Sequence, residues 1–103
     1  MYGTVARMKI KPGKLAELQR FTEESDRARG GINGAIAYYV FQSDRDPDEM
    51  VLAAIFESKE AYRANAEDPK QDEWYQQMRQ MLQGDPEWDD GEIVIAQTFA
   101  GSR

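Results

Sequence analysis

Two segments of this sequence, 35–42 (AIAYYVFQ) and 50–57 (MVLAAIFE), alternate like β-strands but are apolar on both faces. Tyr38 and Tyr39, for example, point to opposite sides of the first segment. A strand that is apolar on both faces must be covered on both faces, because a bare face would leave a large hydrophobic patch in water. The fold of this chain therefore has to provide cover for both sides of one sheet.

Two further segments are predicted to be strands. Residues 2–10 (YGTVARMKI) alternate an apolar face with a mixed face, and Pro12-Gly13 closes the segment. Residues 91–99 (GEIVIAQTF) alternate in the same way and are predicted to form the last strand. The acidic stretch 85–92 (DPEWDDGE) is predicted to be a solvated turn that anchors Trp88 against the fold.

Helical patterns fill the intervals between these strands. From Lys14 to about Arg29 an apolar stripe runs among charged residues, and Gly30-Gly31 ends it. Ser58 is a predicted N-cap for a short helix, KEAYRANAE, over 59–67. Asp68 is predicted to cap the next helix, with Pro69 at its first position and Gln71 as a capping-box partner. The apolar positions of that helix are Trp74, Met78, Met81 and Leu82.

The resulting order is βαββαβ, with the second helix split at Asp68-Pro69. This order predicts an α+β fold of the ferredoxin-like type with an antiparallel sheet. We expect one domain over 1–103, with its core over about 2–97. Helices then cover one sheet face only, and a row such as Val40, Val51 and Ile55 stays in water. We therefore expect a homodimer, a dimeric α+β barrel in which two sheets meet face to face.

The composition excludes several function classes. The chain has no cysteine and no histidine, so disulfides, thiolate chemistry and the commonest general base and metal ligand are all excluded. A formal charge of −6 without a cluster of basic residues argues against nucleic acid as a partner. Asp44, Asp46 and Asp48 begin like a calcium loop, but the expected glycine and the final glutamate are missing. No membrane span or leader is evident, so a cytoplasmic location is expected.

Two stretches carry a resemblance to a known family. The first is YGTVARMKIKPGKLAEL, and the second is FESKEAYRAN followed by AEDPKQDEWYQQM. With them the chain resembles the antibiotic biosynthesis monooxygenase (ABM) family of dimeric α+β barrels, over about residues 2–97. The resemblance implies oxidation of a planar phenolic, quinol or anthrone-like small molecule by O2, without any cofactor. The family often has histidine where this chain has Asn65, and some members use an Asn and a Trp in the pocket. A related haem-degrading branch generally needs a histidine ligand, which is absent here.

The candidate site residues lie on either side of Pro69. We predict Asn65 and Trp74 to be catalytic, because an amide can stabilise an oxyanion and an indole can stack on a ring and donate its N–H. The predicted substrate-binding residues are Tyr62, Tyr75, Met78 and Arg79.

Each of these residues also has an alternative interpretation. Trp74 is in phase with core positions, and Asn65 could satisfy a backbone group at the end of its helix. Tyr62 and Tyr75 could be half-buried packing residues, and Arg79 could be solvated. The pattern does not decide which of the adjacent tyrosines at 38 and 39 faces the ligand. For the whole chain, the alternatives are a non-catalytic small-molecule-binding or stress-response dimer and a purely structural interaction dimer.

Overall fold

The structure, a computed structural model, describes residues 1–99. Its elements follow the order β1 (Tyr2–Lys9), α1 (Leu15–Arg29), β2 (Ala35–Gln42), β3 (Glu49–Phe56), α2 (Lys59–Glu67), α3 (Pro69–Arg79) and β4 (Glu87–Glu92). The predicted α+β, ferredoxin-like arrangement is confirmed. Within the described residues, no helix is long and apolar enough to cross a membrane.

The four strands form one antiparallel sheet in the order β2-β3-β1-β4. In the central pair Met8 lies opposite Met50, and Ala6 lies opposite Leu52. Directly opposed residues of an antiparallel pair point to the same side of the sheet. One face of the sheet therefore collects the even-numbered residues of β1, β3 and β4.

The hydrophobic core lies between this face and the helices. Its most deeply buried large side chains are Ile10, Met50 and Leu82, each about 1% exposed. Leu18 of α1 and Met78 of α3 pack into the same cluster. Burying a side chain of this size contributes roughly 1.5–3 kcal/mol. Tyr62 of α2 lies edge-on to Phe56, an even-numbered residue of β3, so all three helices cover the same side of the sheet.

The predicted helix caps at Ser58 and Asp68 are confirmed. The hydroxyl of Ser58 accepts a hydrogen bond from the backbone N–H of Ala61 at 3.1 Å. A carboxylate oxygen of Asp68 accepts one from Lys70 at 2.9 Å, and Pro69 occupies the first turn. The predicted capping-box role of Gln71 is wrong, because its side-chain oxygen accepts a hydrogen bond from a distant arginine instead.

The predicted position of the last strand is also wrong. β4 occupies Glu87–Glu92, where a solvated turn was expected, and it pairs with β1 through backbone hydrogen bonds that need no apolar side chains. An edge strand tolerates such acidic residues because its far side faces water. Of residues 93–99, which carry the alternating pattern, Ile93 still donates its backbone N–H to the carbonyl of Met1 at 2.9 Å, but none belongs to a strand within residues 1–99. We call 93–99 the C-terminal arm; its Val94 and Ile95 are each 86% exposed.

The sheet face turned away from the helices, here called the open face, is largely apolar. Tyr39 and Phe41 of β2 lie on it and are 64% and 56% exposed. They stand beside Val51 and the other odd-numbered residues of β3. Val40, expected in this row, belongs to the opposite face, because it pairs with Leu52. The predicted bare apolar face is therefore confirmed only in part: Tyr39 and Phe41 are exposed, whereas Val51 is buried, with 6% of its surface exposed, and Ile55 is half-buried.

Gly34 allows α2 to approach the start of β2 closely. Its φ is +79°, and a Cβ built on it would lie 2.5 Å from the Cβ of Ala61. The carbonyl of Gly34 also accepts a hydrogen bond from the backbone N–H of Glu57 at 2.8 Å, just before α2. A residue with a side chain would have to push α2 outward.

Gly34→Ala is therefore expected to destabilise the protein more than Gly13→Ala. Gly13 has the same φ of +79°, but a methyl group added there would meet no atom within 4 Å. Substitution of Gly13 therefore reports only the backbone strain, roughly 1–2 kcal/mol. The free energies of unfolding are measured by urea titration. Adding Ala61→Gly should recover part of the loss in Gly34→Ala, and equal losses at the two glycines would contradict the close approach.

Candidate functional site

A cavity of about 500 Å³ lies between the helical layer and the sheet. Leu52, Ala54 and Phe56 form part of its floor on β3, and Trp74 and Tyr75 of α3 form part of its helical wall. Most of its surface is apolar. A cavity of this size is in the range that holds small organic ligands. We call it the main cavity.

A cluster of polar side chains joins the ends of three helices at the wall of this cavity. Arg29, the last residue of α1, donates from Nη2 to Oδ1 of Asn65 at 3.2 Å and from Nη1 to Oε1 of Gln71 at 2.9 Å. Asn65 belongs to the last turn of α2 and Gln71 to the first turn of α3. The side chain of Asn65 therefore bonds to a guanidinium rather than to the backbone at its helix end.

Trp74 combines packing with cavity lining. Its ring is stacked on Phe21 of α1 with the centroids 6.1 Å apart and the planes 18° from parallel. It also lines the main cavity and a second cavity of about 260 Å³, as do Tyr38 and Leu52. The stack on Phe21 fixes the indole plane, so Trp74 presents a rigid wall to a ligand.

Two tyrosines of the wall donate hydrogen bonds to carboxylates. The hydroxyl of Tyr62 donates to Oδ1 of Asp90 at 3.1 Å, and the hydroxyl of Tyr38 donates to Oδ2 of Asp26. Burial raises the pKa of both hydroxyls above their ordinary value of 10.0, and for Tyr38 the bond to Asp26 and its negative charge raise the pKa further. Both tyrosines are therefore neutral donors at neutral pH.

The sequence-predicted site residues are only partly brought together. Asn65, Trp74, Tyr62 and Tyr75 all line the main cavity. Met78 is buried in the core and lines the second cavity.

Arg79 lines neither of these cavities; its Nε forms an ion pair with Asp85 at 2.7 Å. Of the two adjacent tyrosines, Tyr38 faces the main cavity, and Tyr39 lies on the open face.

Sequence reasoning missed several residues of the wall. In the sequence, Arg29 is one more charged residue of α1, and Gln71 looks like part of a cap. Trp88 lines the main cavity from β4, at a position that was expected to be a turn. The helical period places Arg29 on the same face of α1 as Leu18 and Arg27 on the opposite face, but only the packing of α1 against the α2–α3 junction decides what Arg29 contacts.

The chemistry available at this site is that of neutral donors, one guanidinium and the carboxylates of Asp26, Asp72 and Asp90 around an apolar space. Amide and hydroxyl donors in a low-dielectric cavity can stabilise a developing oxyanion, and an aromatic wall can orient a ring. Among residues 1–99, no group of three or more Asp or Glu side chains is arranged to hold a metal ion.

Comparison with known proteins identifies the family. The sequence profile of the antibiotic biosynthesis monooxygenase (ABM) family matches residues 1–81. The chain belongs to the ABM family. A comparison with functionally curated proteins gave no significant match.

Solved structures share the ABM fold of this chain at low sequence identity. A mutant of SnoaB, a cofactor-independent oxygenase from Streptomyces nogalater, is 14% identical, with 96% of each chain covered and a TM-score of 0.77. An antibiotic biosynthesis monooxygenase is 16% identical, covering 92% of this chain and 100% of its own, with a TM-score of 0.75. A conserved protein from Methanosarcina mazei is 17% identical, with 87% and 89% covered and a TM-score of 0.76.

The raised pKa of Tyr38 predicts a loss of stability in alkali. Below pH 10 the hydroxyl is protonated in both the folded and the unfolded chain. Above pH 10 the unfolded chain releases the proton while the folded protein retains it, so ionisation favours unfolding. Urea titrations between pH 8 and 11 should show a shallower decline in the free energy of unfolding for Tyr38→Phe than for wild type. Equal slopes in wild type and Tyr38→Phe would contradict this prediction.

Proposed function

We propose that this ABM-family protein is a cofactor-independent monooxygenase that oxidises a planar phenolic, quinol or anthrone-like molecule with O2. The observation that carries the proposal is the placement of Asn65: its amide is held by Arg29 at the wall of a mostly apolar cavity that Trp74 also lines. We assign Asn65 to stabilisation of the oxyanion and Trp74 to orientation of the ring. Tyr62 and Tyr75 complete the aromatic wall.

The proposed reaction needs little from the protein. An anthrone that ionises to its enolate can itself transfer an electron to O2, and the two radicals then combine at carbon. The CH2 carbon becomes a carbonyl that retains one atom of O2, and the other atom leaves as water with the two hydrogens of that carbon. The protein has to orient the ring, limit the access of water and stabilise the anion, which fixed amide donors and apolar walls can do.

The hypothesis that this chain works without a cofactor is supported by its similarity to SnoaB. SnoaB is described as a cofactor-independent oxygenase, and its fold matches over 96% of both chains. The sequence identity of 14% supports the shared fold alone, so the substrate and the chemistry of this chain stay proposals. The cytoplasmic location expected from the sequence likewise stays a prediction.

We further propose that the working form is a homodimer. Each subunit has two apolar surfaces without a partner among residues 1–99: the open face, with Tyr39 and Phe41, and the C-terminal arm, with Val94 and Ile95. A second copy related by a two-fold axis would cover the open face with its own and give the arm a neighbouring strand to pair with. Both surfaces are then explained by one association.

Oxygen consumption with a panel of anthrones and hydroquinones tests the catalytic proposal. Asn65→Ala removes the proposed oxyanion donor and should lower the rate by roughly 10²–10³-fold, as is typical for one such donor. Trp74→Phe keeps an aromatic ring without the indole N–H, so a smaller loss is expected. Rates are corrected for the autoxidation of each compound.

Gln76→Ala is the matched control for Asn65→Ala, because Gln76 is an exposed amide of α3 that lines neither cavity. It should keep the wild-type rate. If wild type, Asn65→Ala and Trp74→Phe all run at the background rate, the catalytic proposal fails. Tight binding of these compounds without turnover would then favour a non-catalytic binding protein.

Sedimentation velocity at micromolar concentration tests the dimer. Phe41→Asp puts a charge into the open face and should give a monomer, and a chain that ends at Glu92 should associate more weakly because it lacks the arm. Val40→Asp is the control, because Val40 is similarly exposed on the same strand but points to the helical side. A stable wild-type monomer would rule the dimer out.

A further inference from the structure

Arg29 brings a positive charge into the wall of the main cavity without an ion-pair partner. Within residues 1–99, no carboxylate oxygen lies within 4.0 Å of its guanidinium, and the partners of Nη1 and Nη2 are the neutral amides of Gln71 and Asn65. The side chain is only partly exposed. A half-buried guanidinium that is hydrogen-bonded but not neutralised favours a nearby anion.

The guanidinium also fixes the direction of both amides. Arg has donors only, so the amide oxygens of Asn65 and Gln71 must face it. Their NH2 groups consequently point away from Arg29, and both residues line the main cavity. One charged side chain thereby fixes the orientation of two amides in the same part of the wall.

We propose that Arg29 is a positioning and specificity-determining residue that gives the main cavity a preference for planar ligands with an anionic oxygen, such as an ionised hydroxyquinone. The anionic oxygen lies beside the donors of Asn65 and Gln71, and the ring lies against the apolar wall of Leu52 and Trp74. The inference rests on the proposed function in that both place the ligand in this cavity.

Carboxylates of the same wall limit where the anion can lie. Asp26 accepts a hydrogen bond from Tyr38, Asp90 accepts one from Tyr62, and Asp72 is exposed to water. Anionic oxygens are repelled from these three positions. The preference for an anionic ligand therefore depends on the cluster of Arg29, Asn65 and Gln71, and it should disappear when Arg29 is replaced.

A purely structural role for Arg29 makes a different prediction. The same hydrogen bonds tie the end of α1 to the junction of α2 and α3, so losing them could loosen the whole cavity. A loosened cavity would weaken the binding of charged and of neutral ligands to the same extent. The ratio of the two affinities separates the two roles, because only the loss of the charge and of the oriented donors changes that ratio.

Titration calorimetry with two naphthoquinones measures this ratio. 2-Hydroxy-1,4-naphthoquinone is an anion at pH 7, and 2-methoxy-1,4-naphthoquinone is neutral and of nearly the same shape. Wild type should bind the hydroxy compound roughly tenfold or more tightly than the methoxy compound, as expected for charge-assisted hydrogen bonds. Arg29→Gln should abolish the preference, and Arg29→Lys should keep part of it, because lysine retains the charge but not the fork of donors.

Arg27→Gln is the matched control, because Arg27 is an exposed cation of the same helix end that lines neither cavity. It should keep the wild-type ratio. No binding of either compound to wild type, or an unchanged ratio in Arg29→Gln, would overturn the inference. An absence of oxygen uptake with the ratio intact would instead count against the proposed monooxygenase alone.

Discussion

The structure depends on the fact that one layer of helices covers a sheet with two apolar faces. The even-numbered residues of β1 and β3, such as Met8 and Met50, are sealed beneath the helices, while Tyr39 and Phe41 on the other side remain in water. The core and the cavities therefore lie on the helical side, and the open face carries the proposed dimer contact. The two functional features of the molecule thus follow from the same asymmetry.

The main cavity lies beside the break in the second helical segment. The Asp68-Pro69 step ends α2 and starts α3, so two short helices cover this part of the sheet instead of one long helix. Gly34 lets α2 come close to β2 on one side, and the stack of Trp74 on Phe21 holds α3 against α1 on the other. The space between these contacts is lined by the residues of the break.

Much of this could be predicted from the sequence, because the signals are local. The helices begin at the predicted caps Ser58 and Asp68, whose side chains satisfy free backbone N–H groups within three residues. Asn65 and Trp74 were expected near each other because they flank the break. The strand β4 was missed because backbone pairing, rather than side-chain pattern, decides where an acidic edge strand forms. The alternating arm after it, 93–99, carries the stronger pattern but finds no strand to pair with among residues 1–99 of its own subunit.

The sequence by itself determined the order of the elements, the one-sided helical layer and the apolar residues of the second face, since periodicity and caps act over a few residues. Only the tertiary structure decided that Tyr38 faces the cavity, that Arg79 turns to Asp85, and that Arg29 reaches Asn65 and Gln71. Arg29 is 36 and 42 residues from these partners along the chain. Contacts over such separations depend on how helices are packed, and packing is set by all the buried side chains together rather than by any local pattern.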